Sequence, residues 1–189
     1  MGKLTRPWIC FFSRSGKEIC DLSERLGISP NIIVTNERPA NLRRIDPRIY
    51  ETNNLVTLTN RPSTYEYYDV LKYYRNPIVT LHGWLRVVPE EVCNNVEIFN
   101  GHPGLITSKE DGGYGDFLKG KDPIEKALNT GLHKTGCVIH KVTSGVDEGE
   151  ILLHKEFNIY DKQYPEVDNL ARKTMMDLWE NFLQKRLFF

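Results

Sequence analysis

Short apolar runs alternate with segments of helical spacing along the first 100 residues, and this alternation constrains the fold more than any other feature of the chain. Strands that alternate with helices build right-handed βαβ units, so the sequence predicts an α/β, Rossmann-like fold: a mainly parallel sheet with helices on both faces. Such a sheet binds ligands beyond the carboxyl ends of its strands. The runs interpreted as strands cover residues 7–12, 31–35, 55–58, 77–82 and 96–100.

The second half of the chain departs from this pattern. Residues 103–121 contain five glycines among mixed polar residues without periodicity, which is typical of a functional loop, and we expect a mobile rim or lid there. We expect one domain spanning residues 1–189. Further predicted elements are helices at 65–74, 122–128 and 167–187, a short helix near 87–92, and strands at 136–142 and 151–157.

Charge and composition argue against several classes of function. The chain has 25 Lys+Arg and 25 Asp+Glu, so net charge does not favour nucleic acid or a membrane surface as a partner. No apolar stretch reaches the ~20 residues of a membrane span, and we expect a cytoplasmic protein. The cysteines have no metal-ligand spacing, so we predict reduced thiols and no metal site. They are Cys10, Cys20, Cys93 and Cys137.

The turn after the first predicted strand is Ser13-Arg14-Ser15-Gly16-Lys17 and opens a helix. Free backbone N–H groups at a helix start, flanked by two cations, can bind a phosphate. The turn has one glycine and lacks the Ser or Thr that follows Gly-Lys in a P-loop. The residues alone leave a phosphate site and a structural turn as alternatives.

The fifth predicted strand leads into Asn100-Gly101-His102-Pro103. Two residues separated by one position project to the same side of a strand, and an amide donor beside an imidazole suits acyl transfer to an amine. The alternative is a turn-forming Asn and an exposed loop His. Similarly, Asp147 in the turn 144–150 is either an ordinary Asx turn or a buried carboxylate that raises the pKa of an imidazole. We interpret His140 as a hydrogen-bonded framework residue of its strand.

These segments together resemble the formyltransferases that use 10-formyltetrahydrofolate, and are most similar to the glycinamide ribonucleotide formyltransferase branch. Asn100-Gly101-His102-Pro103 resembles the Asn-x-His-Pro element of that family, and the glycine-flanked Asp147 resembles its later Asp turn. The resemblance implies a catalytic triad of Asn100, His102 and Asp147, with Asp147 keeping His102 charged. It also implies 10-formyltetrahydrofolate as co-substrate and a small-molecule amine as acceptor.

Two further segments extend the resemblance. Leu85-Arg86-Val87-Val88-Pro89 resembles the segment that lines the folate site, which implies folate contacts from Leu85, Arg86, Val87 and Val88, and from Val146 beside Asp147. A large charged residue in place of Val88 is therefore expected to weaken folate binding without unfolding the protein.

The turn Ser13-Arg14-Ser15-Gly16-Lys17 resembles the branch's phosphate loop, with Arg14 and Lys17 where small or neutral residues are usual. The added charge suggests an acceptor with more phosphate than a monophosphate. Residues 119–123 look more like the loop of formyltransferases that act on nucleotide-linked amino sugars. The alternatives are thus an amino-sugar nucleotide acceptor, or a homologue that binds folate or nucleotide without turnover.

Overall fold

The computed structural model describes residues 5–36, 44–52 and 54–188, and their centre is one seven-stranded sheet. The strand order is β3-β2-β1-β4-β5-β6-β7. The first five of these are parallel to one another, whereas β6 and β7 are antiparallel additions beside β5. The strands are β1 Trp8–Phe12, β2 Ile32–Thr35, β3 Leu55–Thr57, β4 Ile78–His82, β5 Ile98–His102, β6 Lys134–Lys141 and β7 Ile151–Asn158.

Helices cover both faces of the sheet, which confirms the predicted fold class. One core lies between the sheet and helices α1, α5 and α6, and the second lies between the sheet and α3 and α4. In the described part of the chain no helix is long and apolar enough to cross a membrane. The helices are α1 Lys17–Leu26, α2 Arg48–Glu51, α3 Thr64–Leu71, α4 Glu90–Asn95, α5 Pro123–Asn129 and α6 Tyr164–Leu187.

Helix α6, with 24 residues, is the longest helix among the described residues and packs against β5. The ring of Phe182 packs edge-on against Phe99 of β5, with centroids 4.7 Å apart. A Cβ atom on Gly101 would lie 2.6 Å from the sulfur of Met175 and 2.9 Å from Nε1 of Trp179, closer than real Cβ contacts allow. Glycine at position 101 therefore lets α6 pack directly on β5.

Several features differ from the sequence-based predictions: for example, α3 ends at Leu71 rather than at 74, and α4 spans Glu90–Asn95 rather than lying near 87–92. Asn100 and His102 lie inside β5, which runs two residues further than predicted. Helix α6 begins at Tyr164 because Gln163 and Glu166 form a capping box there. The glycine-rich segment 103–121 has a 3-10 turn at Gly115–Leu118 whose last residue is fully buried, so part of the predicted rim is framework.

Candidate active site

The side chains of Asn100 and His102 lie together on one face of β5. Gly101 between them contacts α6, so the alternation of the strand turns both polar side chains toward the opposite face. In the antiparallel pairing with β6, Asn100 lies directly opposite His140. The sheet thus brings one amide and two imidazoles to the same place.

Asp147 reaches this group from the turn that joins β6 to β7. Its backbone φ of 53° lies in the left-handed region, which Asp tolerates better than most residues. Its carboxylate is 3.2 Å from Nδ1 of His102, 3.2 Å from Nε2 of His140 and 3.3 Å from Nδ2 of Asn100. The structure therefore brings together the three residues of the predicted triad.

The carboxylate of Asp147 is only 10% exposed, yet it remains ionised. Burial by itself raises the pKa of Asp147. The hydrogen bond from His140, the charge of His102 and the backbone N–H of Gly120 outweigh this effect and lower the pKa to about 2. That N–H donates to Oδ2 at 2.9 Å. Asp147 is consequently a buried carboxylate rather than an ordinary Asx turn.

The pKa of His102 moves opposite to the predicted direction. Burial lowers it below the usual value of 6.5, and this effect exceeds the raising contributions of Asp147 and of the Leu118 carbonyl, which contacts Nε2 at 2.7 Å. Burial therefore opposes the expected effect of Asp147, which favours the charged ring.

His140 is the site residue whose position the sequence did not reveal. Its Nδ1 bonds to the carbonyl of Lys141 at 3.0 Å, and its Nε2 lies 3.2 Å from Nδ2 of Asn100. The interpretation as a hydrogen-bonded residue holds, but its partners are the triad itself. The register that sets it opposite Asn100 was the missing information.

The segment 83–88 is held beside the turn at residues 13–17. Ser13 Oγ accepts a hydrogen bond from the backbone N–H of Leu85 at 3.0 Å, and the guanidinium of Arg86 donates to Oδ1 of Asn60 at 2.6 Å. The side chains of Leu85 and Val87 are exposed, as is that of Val146 in the Asp147 turn. Exposed apolar side chains of this kind fit a flat heterocycle such as pterin.

Val88 differs from its neighbours, because its side chain is 1% exposed and packs in the core with α3 and α4. Only its backbone is available to a ligand. A charged residue at this position would be buried without a partner, so the expectation that such a change leaves the fold intact is wrong.

The turn at residues 13–17 is less basic than its sequence suggests. Gly16 adopts a left-handed φ of 68° at the start of α1, and Arg14 is exposed, but Lys17 pairs with Asp21 at 3.0 Å. Glu18 in the first turn of α1 adds a carboxylate, which contacts Nδ1 of His82 at 2.6 Å. Ser13 is buried and bonds to Asn36.

Metal binding has no support in the described ranges: no group of three His, Cys, Asp or Glu side chains there could hold an ion. The four cysteines form no disulfide among the described residues, and Cys10, Cys20 and Cys137 are buried.

Comparison with known proteins gives consistent matches. A family model described as formyl transferase matches residues 30–176. The phosphoribosylglycinamide formyltransferase of Dictyostelium discoideum is 28% identical over 186 residues, covering 86% of this chain and 81% of that protein. The methionyl-tRNA formyltransferase of Thermosipho melanesiensis is 29% identical over 110 residues, covering 56% of this chain and 33% of that protein.

The fold also matches a solved structure along its whole length. Glycinamide ribonucleotide transformylase 1 of Geobacillus kaustophilus superposes with a TM-score of 0.77 at 22% identity, covering 99% of this chain and 100% of that one. The chain spans a third or less of the length of the first curated relatives that it matches.

Removing the buried carboxylate will change the acid stability of the protein. The folded pKa of Asp147, about 2, lies below the unfolded value of about 3.9, so its ionisation stabilises the fold above pH 4 and this contribution disappears as the pH falls toward 2. The contribution is on the order of 2 kcal/mol. In urea denaturation, the unfolding free energy of Asp147→Asn should fall less steeply between about pH 4 and 2 than that of wild type. The exposed Asp69→Asn is the control, and equal slopes for all three proteins would contradict this assignment.

Proposed function

This chain belongs to the formyl transferase family, and from that premise we propose that it moves a formyl group from 10-formyltetrahydrofolate to a primary amine on a small phosphorylated acceptor of the glycinamide ribonucleotide type. The observation that carries the proposal is the buried cluster in which the side chains of Asn100 and His102 each lie within 3.3 Å of the Asp147 carboxylate. A protein that only binds folate has no need of this arrangement, so the cluster favours turnover.

The cluster can carry the chemistry of formyl transfer. The amine nitrogen attacks the formyl carbon, and the carbonyl oxygen becomes an oxyanion. The amide of Asn100 supplies an N–H donor for that oxyanion. Its nitrogen lies 3.2 Å from Nε2 of His140 and 3.3 Å from Asp147, and the longer contact, with Asp147, is the one that the oxyanion replaces. His102 takes the proton that the amine loses, and Asp147 stabilises the resulting imidazolium. As the oxyanion collapses, the bond from the formyl carbon to N10 of the folate breaks and N10 takes the proton from His102, which leaves tetrahydrofolate and the formylated amine.

The folate co-substrate is proposed to lie against the exposed side chains of Leu85, Val87 and Val146. Arg86 is tied to Asn60, so its role is to hold this wall in place, and Val88 contributes through its backbone. The hydrogen bond from the backbone N–H of Leu85 to Ser13 connects this wall to the turn at residues 13–17. This contact supports a shared cleft for the two substrates.

The phosphate of the acceptor is proposed to bind at Ser13-Arg14-Ser15-Gly16-Lys17. The carboxylates of Glu18 and Asp21 offset the added cations there, which favours a single phosphate over a diphosphate. Nucleotide-linked amino sugars remain the alternative acceptor, because residues 119–123 resemble the loop of enzymes that use them.

Turnover should depend on His102. Replacement by Ala is expected to lower kcat by roughly 100- to 1,000-fold, because it removes the group that handles the amine proton and stabilises the charge formed in the transition state. The exposed His154→Ala is the matched control and should retain wild-type activity. The assay follows folate absorbance with 10-formyltetrahydrofolate and glycinamide ribonucleotide, an amino-sugar nucleotide or methionyl-tRNA. Near-normal kcat in His102→Ala with its best acceptor would refute the catalytic assignment.

Two adjacent valines separate folate binding from folding. Val87→Asp should weaken folate affinity by about tenfold, because a charged group would lie against the apolar pterin site while the fold stays intact. Val88→Asp should instead lower the free energy of unfolding, since its side chain is buried. Calorimetric titration and urea denaturation measure the two effects, and unchanged folate affinity in Val87→Asp would place the folate elsewhere.

The two cations of the turn at residues 13–17, Arg14 and Lys17, should contribute unequally to binding of the acceptor phosphate. Arg14→Ala is expected to raise the acceptor KM several-fold, whereas Lys17→Ala should have a smaller effect because Lys17 already pairs with Asp21. Folate KM should stay constant in both. An acceptor KM that neither change alters would move the phosphate site away from this turn.

A further inference from the structure

We propose that a closed ring of hydrogen bonds couples the turn at residues 13–17 to the segment 83–88, so that acceptor and folate each raise the affinity of the protein for the other. Asn36 is the positioning residue in this hydrogen-bond ring. The inference rests on the proposed function for the identity of the two ligands, but the hydrogen-bond ring can also be tested in the ligand-free protein.

The hydrogen-bond ring crosses four neighbouring strands at one edge of the sheet. Its members are Ser13 directly after β1, Asn36 directly after β2, Asn60 shortly beyond β3, and Leu85 and Arg86 shortly beyond β4. These strands are parallel and lie side by side in the order β3-β2-β1-β4. The carboxyl ends of such strands share one edge of the sheet, which is why residues distant in sequence meet there.

The hydrogen bonds of Asn36 have a single possible direction. The backbone carbonyl of Asn60 can only accept, so the Asn36 atom that lies 3.2 Å from it is the amide nitrogen Nδ2. Oδ1 of Asn36 then accepts from the hydroxyl of Ser13 at 2.8 Å. The only hydrogen of that hydroxyl lies in this bond, and its oxygen accepts the backbone N–H of Leu85 at 3.0 Å. The segment 83–88 is thereby connected through Ser13 to the end of β2.

Arg86 closes the hydrogen-bond ring. Its Nε donates to the backbone carbonyl of Asn60, and its Nη2 donates to Oδ1 of the same residue at 2.6 Å. Its Nη1 donates to the carbonyl of Leu85 at 2.8 Å. The planar guanidinium can hold all of these acceptors at once because its N–H groups point in fixed directions.

Burial makes the hydrogen-bond ring costly to open. Ser13 and Asn36 are each 4% exposed. A buried polar group that loses its partner cannot turn to water instead, so a shift of one member disfavours the position of the next. Hydrogen bonds in a connected network also strengthen one another. The turn at residues 13–17 and the segment 83–88 therefore move together rather than independently.

This connection has a consequence for binding. Both segments are loops that present exposed side chains, Arg14 on one and Leu85 and Val87 on the other. The ligand that binds first fixes its own segment, and through the hydrogen-bond ring it also fixes the second segment. Less ordering then remains for the second ligand, which consequently binds more tightly. By linkage the two ligands raise each other's affinity by the same factor.

Calorimetric titration measures this factor. Tetrahydrofolate, which has no formyl group to transfer, is titrated into the wild type with and without saturating glycinamide ribonucleotide, and the reverse titration is also made. We expect each ligand to raise the affinity for the other by about fivefold or more. In Asn36→Ala the factor should fall to about one. A general weakening of the fold would instead lower both affinities and leave the factor unchanged.

Asn31→Ala is the matched control. Asn31 lies at the other end of β2, where its Oδ1 accepts the backbone N–H of Trp8 at 2.9 Å. This variant loses an asparagine hydrogen bond between the same two strands at the opposite edge of the sheet, and it should keep the wild-type factor. Independent binding of the two ligands to wild type, or the wild-type factor in Asn36→Ala, would overturn the proposal.

Amide hydrogen exchange followed by NMR tests the hydrogen-bond ring without any ligand. Asn36 reaches the N–H of Leu85 through Ser13, so Asn36→Ala should speed exchange of that N–H by about tenfold, whereas Asn31→Ala should not. Arg86→Lys keeps the charge but lacks the planar fork, and it should act like Asn36→Ala. It replaces that variant in both experiments if Asn36→Ala does not fold. Wild-type exchange of the Leu85 N–H in these variants would refute the hydrogen-bond ring, whereas failure of the wild type to bind either ligand would count against the proposed function.

Discussion

The buried carboxylate of Asp147 is the group on which the geometry of the site depends. An ionised carboxylate at this depth is costly unless donors surround it, and here an amide, two imidazoles and a backbone N–H do so. These four groups come from three parts of the fold: Asn100 and His102 from β5, His140 from β6, and Gly120 from the segment after the 3-10 turn. The need to satisfy one charge therefore holds three chain segments in register, and the same contacts place a base beside an amide donor.

The two antiparallel strands make this convergence possible. A purely parallel sheet would send its chain away from the end of β5 through a long crossover, whereas β6 runs back along β5 and brings His140 opposite Asn100. The turn into β7 then returns Asp147 to the same face. On the other face Gly101 lets α6 lie against β5, so the strand that carries Asn100 and His102 is held from both sides.

The sequence predicted the sheet better than it predicted the chemistry of the site. Alternating apolar runs indicated the strands, and the spacing of Asn100 and His102 indicated a shared face, because both signals are local. Asp147 joined them only through a family resemblance, since a turn of this composition is common. His140 was missed because strand register is not local. The pKa direction of His102 and the burial of Val88 depend on how deeply each side chain is packed, which no spacing reveals.

The fate of the formyl carbon tests the central claim most directly. Wild-type protein is incubated with 10-formyltetrahydrofolate labelled with carbon-13 in the formyl group and with the amine acceptors, and the products are followed by carbon NMR. The account predicts a labelled formamide on one amine, formed in a one-to-one ratio with tetrahydrofolate. Labelled formate alone, or no release of the label in the presence of any amine, would contradict it.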